Sequence, residues 1–261
     1  MRHLDLFSGI GGFALAAQWA GMQTIGFSEI DEFACKVLAK NFPEIPNIGN
    51  MKEITGNECG SVDIVTGGFP CQPFSKAGKQ KGKSDERWLW PEMLRVIKQA
   101  RPSWVLIENV VDLEYMGLDQ VCFDLEADGY STRPFIIPAG AVKREHGRER
   151  LWVVAHDERT GAELEEHTDR GQEWRPAENT QRTMVPQRYG KSCSKGVESG
   201  CVLLDGETFS VDGQSEPTFL GSAHGIPNRM DRRKALGNAI VPQVAYEILK
   251  VIAEIENRQN D

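Results

Sequence analysis

The chain has 261 residues and a mass of 29.1 kDa, enough for one large domain or one domain with a small appendage. Hydrophobic residues at 40% beside 26% charged residues exclude a disordered or fibrous chain. The formal net charge of −8 excludes a protein that coats nucleic acid with an overall basic surface, but not one that grips it with a local basic face. No apolar run approaches the ~20 residues of a membrane helix, so no membrane contact is expected. The start, Met1-Arg2-His3-Leu4-Asp5, lacks the apolar core of a signal peptide, so a cytoplasmic protein is expected. Six cysteines, at 35, 59, 71, 122, 193 and 201, form no C-x-x-C pair. They suit a reducing compartment, most are expected to be small buried hydrophobes, and no metal site is expected.

Residues 1–155 alternate short apolar strands with amphipathic helices, the pattern of a doubly wound, mostly parallel α/β sheet. His3 to Phe7 reads as a strand, followed by the turn Ser8-Gly9-Ile10-Gly11-Gly12 and a helix with Phe13, Ala16, Ala17 and Ala20 on one side. Gly21 stops that helix. Thr24 to Phe27 is a second strand leading to Glu29; Asp31 caps a helix whose Phe33, Val37 and Leu38 face inward, closed by Pro43. Val62–Val65, Trp104–Ile107 and Leu151–Val154 are buried strands, and Trp90–Gln99 is a helix with Pro91 in its first turn. From about His156 to Gly221 large apolar residues are sparse and no period persists; composition fits a loop-rich subdomain and a disordered segment equally. Val241, Ala245, Ile248, Ile252 and Ile255 mark a closing amphipathic helix.

Glycines let the chain turn tightly and approach a ligand, and Glu29 stands 20 residues past Gly9, where an acid meets a cofactor ribose. The glycines alone also fit a ligand-free connection; with Glu29 they point to a nucleoside site. The pattern F-x-G-x-G-G differs from G-x-G-x-x-G, so a nicotinamide dinucleotide is not the first expectation. Cys71, in Gly67-Gly68-Phe69-Pro70-Cys71-Gln72-Pro73, lies beyond a strand's carboxyl end, where open α/β sheets bind ligands. A packed loop cysteine is the commoner case. Glu108-Asn109-Val110 follows another buried strand, and the two together give a nucleophile and a proton donor on one rim.

Asp5 to Gly12, Pro70-Cys71-Gln72, Glu108-Asn109-Val110 and Gly237 to Pro242 occur in the order of the DNA cytosine-5 methyltransferases of bacterial and phage type, which this chain resembles over residues 1–155 and 224–256. The resemblance implies transfer of a methyl group from S-adenosylmethionine to C5 of a flipped cytosine in double-stranded DNA, by a monomeric protein of the restriction–modification kind. It implies Cys71 as nucleophile, Glu108 on N3 and the exocyclic amine, and Arg148 and Arg150 holding the flipped base and nearby phosphate. It also implies a cofactor site of Phe7, Gly9, Ile10, Gly11, Gly12, Glu29, Ile30, Pro70, Asn238 and Ile240. Residues 1–155 would be the catalytic and cofactor-binding domain, 156–222 the target-recognition region, and 223–261 a segment returning beside the N-terminal loop. No counterpart is identified for the helix that follows the family's recognition region.

The chain departs from the family at His146, where a glutamine is usual, and at Asn50-Met51, where many members carry Asp-Ile. Residues 76–87, 143–150 and 229–234 carry net charges of +3, +2 and +3; such runs are usually solvated faces, but two of the three adjoin proposed active-site motifs, which favours phosphate contacts. Lys76 to Lys83 resembles the family's loop that closes over DNA. The same motifs occur in transfer-RNA cytosine-5 methyltransferases, whose Cys-Phe-Thr tripeptide is absent here. A catalytically silent DNA-binding relative is the other alternative, against which intact Cys71 and Glu108 weigh.

Overall fold

The computed structural model describes residues 1–54, 58, 60–70, 88–142, 149–161, 203–204, 207–208 and 229–260. Its centre is a six-stranded sheet in which β1 (Arg2–Leu6) lies between β2 (Gln23–Ser28) and β3 (Ile64–Gly67). Outside β3 come β4 (Trp104–Asn109), β6 (Glu149–Asp157) and, at the edge, β5 (Tyr130–Pro138). The first four strands are mutually parallel, and β6 runs antiparallel to both β4 and β5. The expected doubly wound, mostly parallel sheet is therefore present.

Strand side chains alternate between faces, and the two faces carry separate cores. On one, Val65, Val105, Ile107 and Val153 pack with Met93, Val96 and Ile97 of α3 (Trp90–Ala100) and Val121 and Leu125 of α5 (Leu118–Glu126). On the other, Ile64, Trp104, Leu106 and Trp152 meet Phe13 and Ala17 of α1 (Gly12–Trp19) and Ala245, Ile248 and Leu249 of α7 (Pro242–Asn260). Helices α1 and α7 lie side by side, Trp19 and Tyr246 meeting edge to face at 6.0 Å.

Several local expectations change in the assembled sheet. In α2 (Glu32–Asn41) the inward pair is Ala34 and Leu38, while Phe33 and Val37 are half-buried. Both pairs satisfy the i, i+4 spacing, and Leu38, inward as expected, packs with Ala14 and Phe27. Strand β3 starts two residues later than its apolar run, because its register follows β1 from His3 to Leu6. Strand β4 extends through Glu108 and Asn109, pairing with Trp152 and Leu151. Strand β5 carries Pro134 inside it and only a short apolar run, Phe135 to Ile137, after the polar stretch 131–133; proline is tolerated there because β5 is an edge.

Strand β6 runs through Asp157, so the sheet continues into the compositional change near His156. A short helix α4 (Leu113–Met116) precedes α5, and α6 (Arg229–Asn238) stands where no helix was identified. The run RMDRRKA lacks the apolar stripe that would have announced α6. Within residues 162–228 only β7 (Leu203–Leu204) and β8 (Glu207–Thr208) are described, as an antiparallel pair. Cys35 and Cys122 are half-buried rather than buried. Burial nonetheless raises both thiols, Cys122 to about 11.

A polar chain crosses the strands beneath the glycine turn. His3, fully buried, contacts Thr24 Oγ1 at 2.9 Å and Thr66 Oγ1 at 2.8 Å, and the Thr66 hydroxyl donates to Asp5 Oδ1 at 3.2 Å. Burial pushes the His3 imidazole down to about 3 and the Asp5 carboxyl well above its usual value. The unfolded chain therefore takes up a proton at His3 below about pH 6.5 that the folded chain refuses until about pH 3. The stability this contributes is present above pH 6.5 and is lost as pH falls through that window. Asp5 has the opposite sign, its contribution being lost as pH rises through its elevated folded value, and it is shared by wild type and a His3 variant. Between pH 7 and pH 5 the wild type should lose about 2 kcal/mol more than His3→Gln in urea unfolding. Equal losses in the two proteins would sink this assignment.

Candidate active site

The parallel strands deliver their carboxyl ends to one rim, because Leu6 pairs with Ser28 and with Gly67, and Gly67 with Ile107. Ligands of open α/β sheets bind at such a rim. Antiparallel β6 contributes by its beginning instead, so Arg150 arrives beside Glu108. The result is a cleft of about 470 Å³, lined by Phe7, Gly9, Ile10, Glu29, Ile30, Pro70, Glu108, Arg150 and Asn238 among others.

The chain leaves β1 through a turn in which Phe7, Gly9 and Gly11 have φ of 53°, 55° and 88°. Phe7 holds the left-handed region at a cost of about 1–2 kcal/mol for a residue with a Cβ. Gly11 is required twice over, since a Cβ there would also stand 2.6 Å from the Phe42 ring. Gly12 admits Ile240, whose Cγ1 would lie 2.7 Å from a Cβ. The turn is closed by Glu29, whose Oε2 accepts from Gly9 N at 2.7 Å and whose Oε1 accepts from Ile30 N at 2.8 Å and Asp31 N at 2.7 Å. Asp31 caps α2 by accepting from Phe33 N and Ala34 N.

Across the cleft, Glu108 is buried and pairs with Arg150, Nε to Oε1 at 2.9 Å. The pair is oriented inside low-dielectric surroundings, where removing one partner costs more than the pair itself contributes. Gly68 passes so close that a Cβ would lie 3.2 Å from Glu108 Oε2. Asn109 Nδ2 donates to the Phe69 carbonyl at 3.0 Å, tying β4 to the residue before Pro70. The Phe69 ring meets Trp88 at 5.3 Å and Trp90 at 5.6 Å, so the residues flanking 70–87 share one aromatic base.

Of the residues expected in the site, Phe7, Gly9, Ile10, Glu29, Ile30, Pro70, Glu108, Arg150 and Asn238 line the cleft together. Gly11, Gly12 and Ile240 stand behind its wall, shaping the turn. Cys71, Arg148 and His146, with the basic cluster of residues 76–87, lie outside the described residues. In the third cluster, Lys234 Nζ pairs with Asp31 Oδ2 at 2.6 Å across the cleft rim. This hydrogen bond holds the Asp31 carboxyl below its ordinary range and raises the Lys234 ammonium.

Sequence reasoning passed over three contributors. Asn109 was legible as part of its tripeptide, without a role. Asn47, whose side chain bonds the Glu29 peptide, carried no local signal. Nor did Arg95, which donates to the Met51 and Ile54 carbonyls at 2.7 and 2.6 Å and props the Asn50-Met51 wall.

The sequence profile of the family described as C-5 cytosine-specific DNA methylase matches residues 1–197. The chain is similar to the type II methyltransferase M.NgoMIV of Neisseria gonorrhoeae, 42% identical over 108 residues, covering 41% of this chain and 35% of that protein. It is also similar to the type II methyltransferase M1.ScrFI of Lactococcus lactis subsp. cremoris, 34% identical over 172 residues, covering 61% of this chain and 42% of that protein. Each match thus spans less than half of the relative's length. Among solved structures, a protein assigned as a DNA modification methyltransferase encoded within an Escherichia coli prophage superposes with a TM-score of 0.52 at 26% identity, covering 62% of this chain and 48% of that one.

Proposed function

This chain belongs to the C-5 cytosine-specific DNA methylase family, and from that premise we propose that it transfers a methyl group from S-adenosylmethionine to C5 of cytosine in duplex DNA. The observation that carries the reading is the meeting, in one cleft, of a carboxylate on a glycine turn with a second, Arg-paired carboxylate beside Pro70.

The cleft suits the cofactor chemically. Glu29 retains an acceptor lone pair on Oε2 for a ribose hydroxyl, and Phe7, Ile10 and Ile30 offer apolar walls to an adenine. Glu29, Asp31 and Asp231 outnumber Lys234 on this side and leave it net acidic, which favours a cationic sulfonium over a pyrophosphate. Gly11 and Gly12 shape the turn, with Ile240 packed against it and Asn238 on the cleft wall. S-adenosylmethionine, when bound, supplies an electrophilic methyl group to C5.

Cys71, which follows Pro70 directly, attacks C6 of the cytosine as a thiolate and raises electron density at C5. Glu108 contacts N3 and the exocyclic amine, stabilising the charge that develops in the ring. Arg150 orients Glu108, and with Arg148 holds the base and a neighbouring phosphate. Loss of the C5 proton releases the cysteine. Because these atoms are hidden inside a duplex, the base must leave the stack to reach the cleft. Residues 156–222 choose the target sequence, a task suited to segments that vary without disturbing the scaffold.

The test is methyl transfer from labelled cofactor to duplex DNA and, separately, to transfer RNA. Label should enter duplex DNA as 5-methylcytosine at a sequence that bisulfite sequencing identifies. Transfer to RNA alone would overturn the substrate, and cofactor binding without transfer to either would mark a silent relative.

A further inference from the structure

We propose that Asn47 is a positioning residue of the cofactor cleft, its side-chain amide clamping the peptide of Glu29 so that this carboxylate stays on the glycine turn. The proposal rests on the cofactor reading of Glu29. Strand β2 ends at Ser28, and its outer edge is met by a short parallel bridge between Phe27 and Asn47. There Phe27 N donates to the Pro46 carbonyl at 2.9 Å and Ile48 N to the Phe27 carbonyl at 2.7 Å. Past this main-chain bridge, the Asn47 side chain takes over the pairing. Its Oδ1 accepts from Glu29 N at 3.1 Å, and its Nδ2 donates to the Glu29 carbonyl at 3.0 Å.

The same amide is anchored on its far side, where Oδ1 also accepts from Gly49 N at 3.2 Å and Nδ2 lies 3.2 Å from Cys35 Sγ. Glu29's own carboxylate contacts are to Gly9, Ile30 and Asp31, the last two moving with the Glu29 segment itself. Asn47 instead refers the Glu29 peptide to a different segment. The site needs both a donor and an acceptor within one short planar group. Alanine offers neither, and aspartate keeps the shape and the acceptor but loses the donor.

The experiment measures S-adenosylmethionine affinity of the full chain by calorimetry for wild type, Glu29→Ala, Asn47→Ala, Asn47→Asp, and each Asn47 change combined with Glu29→Ala. Asn47→Ala should bind the cofactor roughly tenfold more weakly, on the scale of one or two lost hydrogen bonds, with duplex DNA affinity unchanged. In the Glu29→Ala background the Asn47 changes should cost less than about twofold, because a residue acting through another has nothing left to position. If Asn47→Ala does not fold, the isosteric Asn47→Asp carries the same cycle. Unchanged cofactor affinity in the single Asn47 variants overturns the proposal. So does an equal loss with and without Glu29, which a merely structural role would give. If Glu29→Ala alone binds normally, the ribose assignment fails first and takes the proposal with it, a result distinct from the other two.

Discussion

Cys71→Ser should abolish the covalent complex with duplex DNA that carries 5-fluorocytosine at the target, and should lower methyl transfer on the order of 10³-fold or more. Fluorine at C5 cannot leave as a proton does, so an enzyme that attacks C6 remains attached to the base. A serine hydroxyl is far less acidic than a thiol and attacks C6 poorly without a dedicated base. The start of the Cys71 segment is held on three sides: Asn109 fixes the Phe69 carbonyl, Trp88 and Trp90 pack on the Phe69 ring, and proline at 70 restricts the backbone. A nucleophile needs that constraint, since misplacement by about 1 Å can cost 10²-fold in rate. The complex is read on a denaturing gel. An undiminished adduct in the serine variant would remove Cys71 from the chemistry.

Glu108→Gln should lower kcat by on the order of 10²–10³ while leaving cofactor affinity unchanged, the scale seen when a group stabilising transition-state charge is removed. The amide keeps the carboxyl group's shape and can still donate a hydrogen bond, but it cannot transfer a proton to N3 as the ring gains electron density. Gly68→Ala probes the same group without touching its chemistry. The added Cβ would sit 3.2 Å from Glu108 Oε2 and 3.3 Å from its carbonyl oxygen, so the carboxylate must yield by a few tenths of an ångström. A roughly tenfold loss of kcat is expected for that smaller displacement. Single-turnover kinetics at saturating cofactor and DNA separates these effects from binding. Full activity in Glu108→Gln would show that this carboxylate only buttresses Arg150.

These expectations depend on features read with unequal ease along the chain. Helices α1, α3 and α7 announced themselves through apolar spacing and through the helix-compatible placement of Gly21 and Pro91. Asp31 was legible as a cap because capping is settled within three residues. Strand β5 and helices α4, α5 and α6 were not read. Strand β5 mixes Pro134 and polar residues with a short apolar run, and α6 begins with the charged run Arg229 to Lys234. The 20-residue spacing of Glu29 from Gly9 was legible, and the two do meet at 2.7 Å. How the carboxylate divides itself among three backbone amides was not.

By itself, then, the amino-acid sequence determined the α/β class, the parallel core of the sheet, the glycine turn and the family. Each of these rests on patterns that act within one strand, one helix or one turn, where side-chain spacing and backbone preference are local. The tertiary structure alone decided what those pieces do to one another. It brought Arg150 to Glu108 by running β6 against β4, and joined Lys234 to Asp31 across 203 positions of chain. It also used Asn47 to continue the sheet past Ser28, and buried His3 between Thr24 and Thr66. The physical reason is that strand order and direction are set by how whole faces pack. A period-two pattern tells a residue which face it occupies, but not which strand will lie beside it.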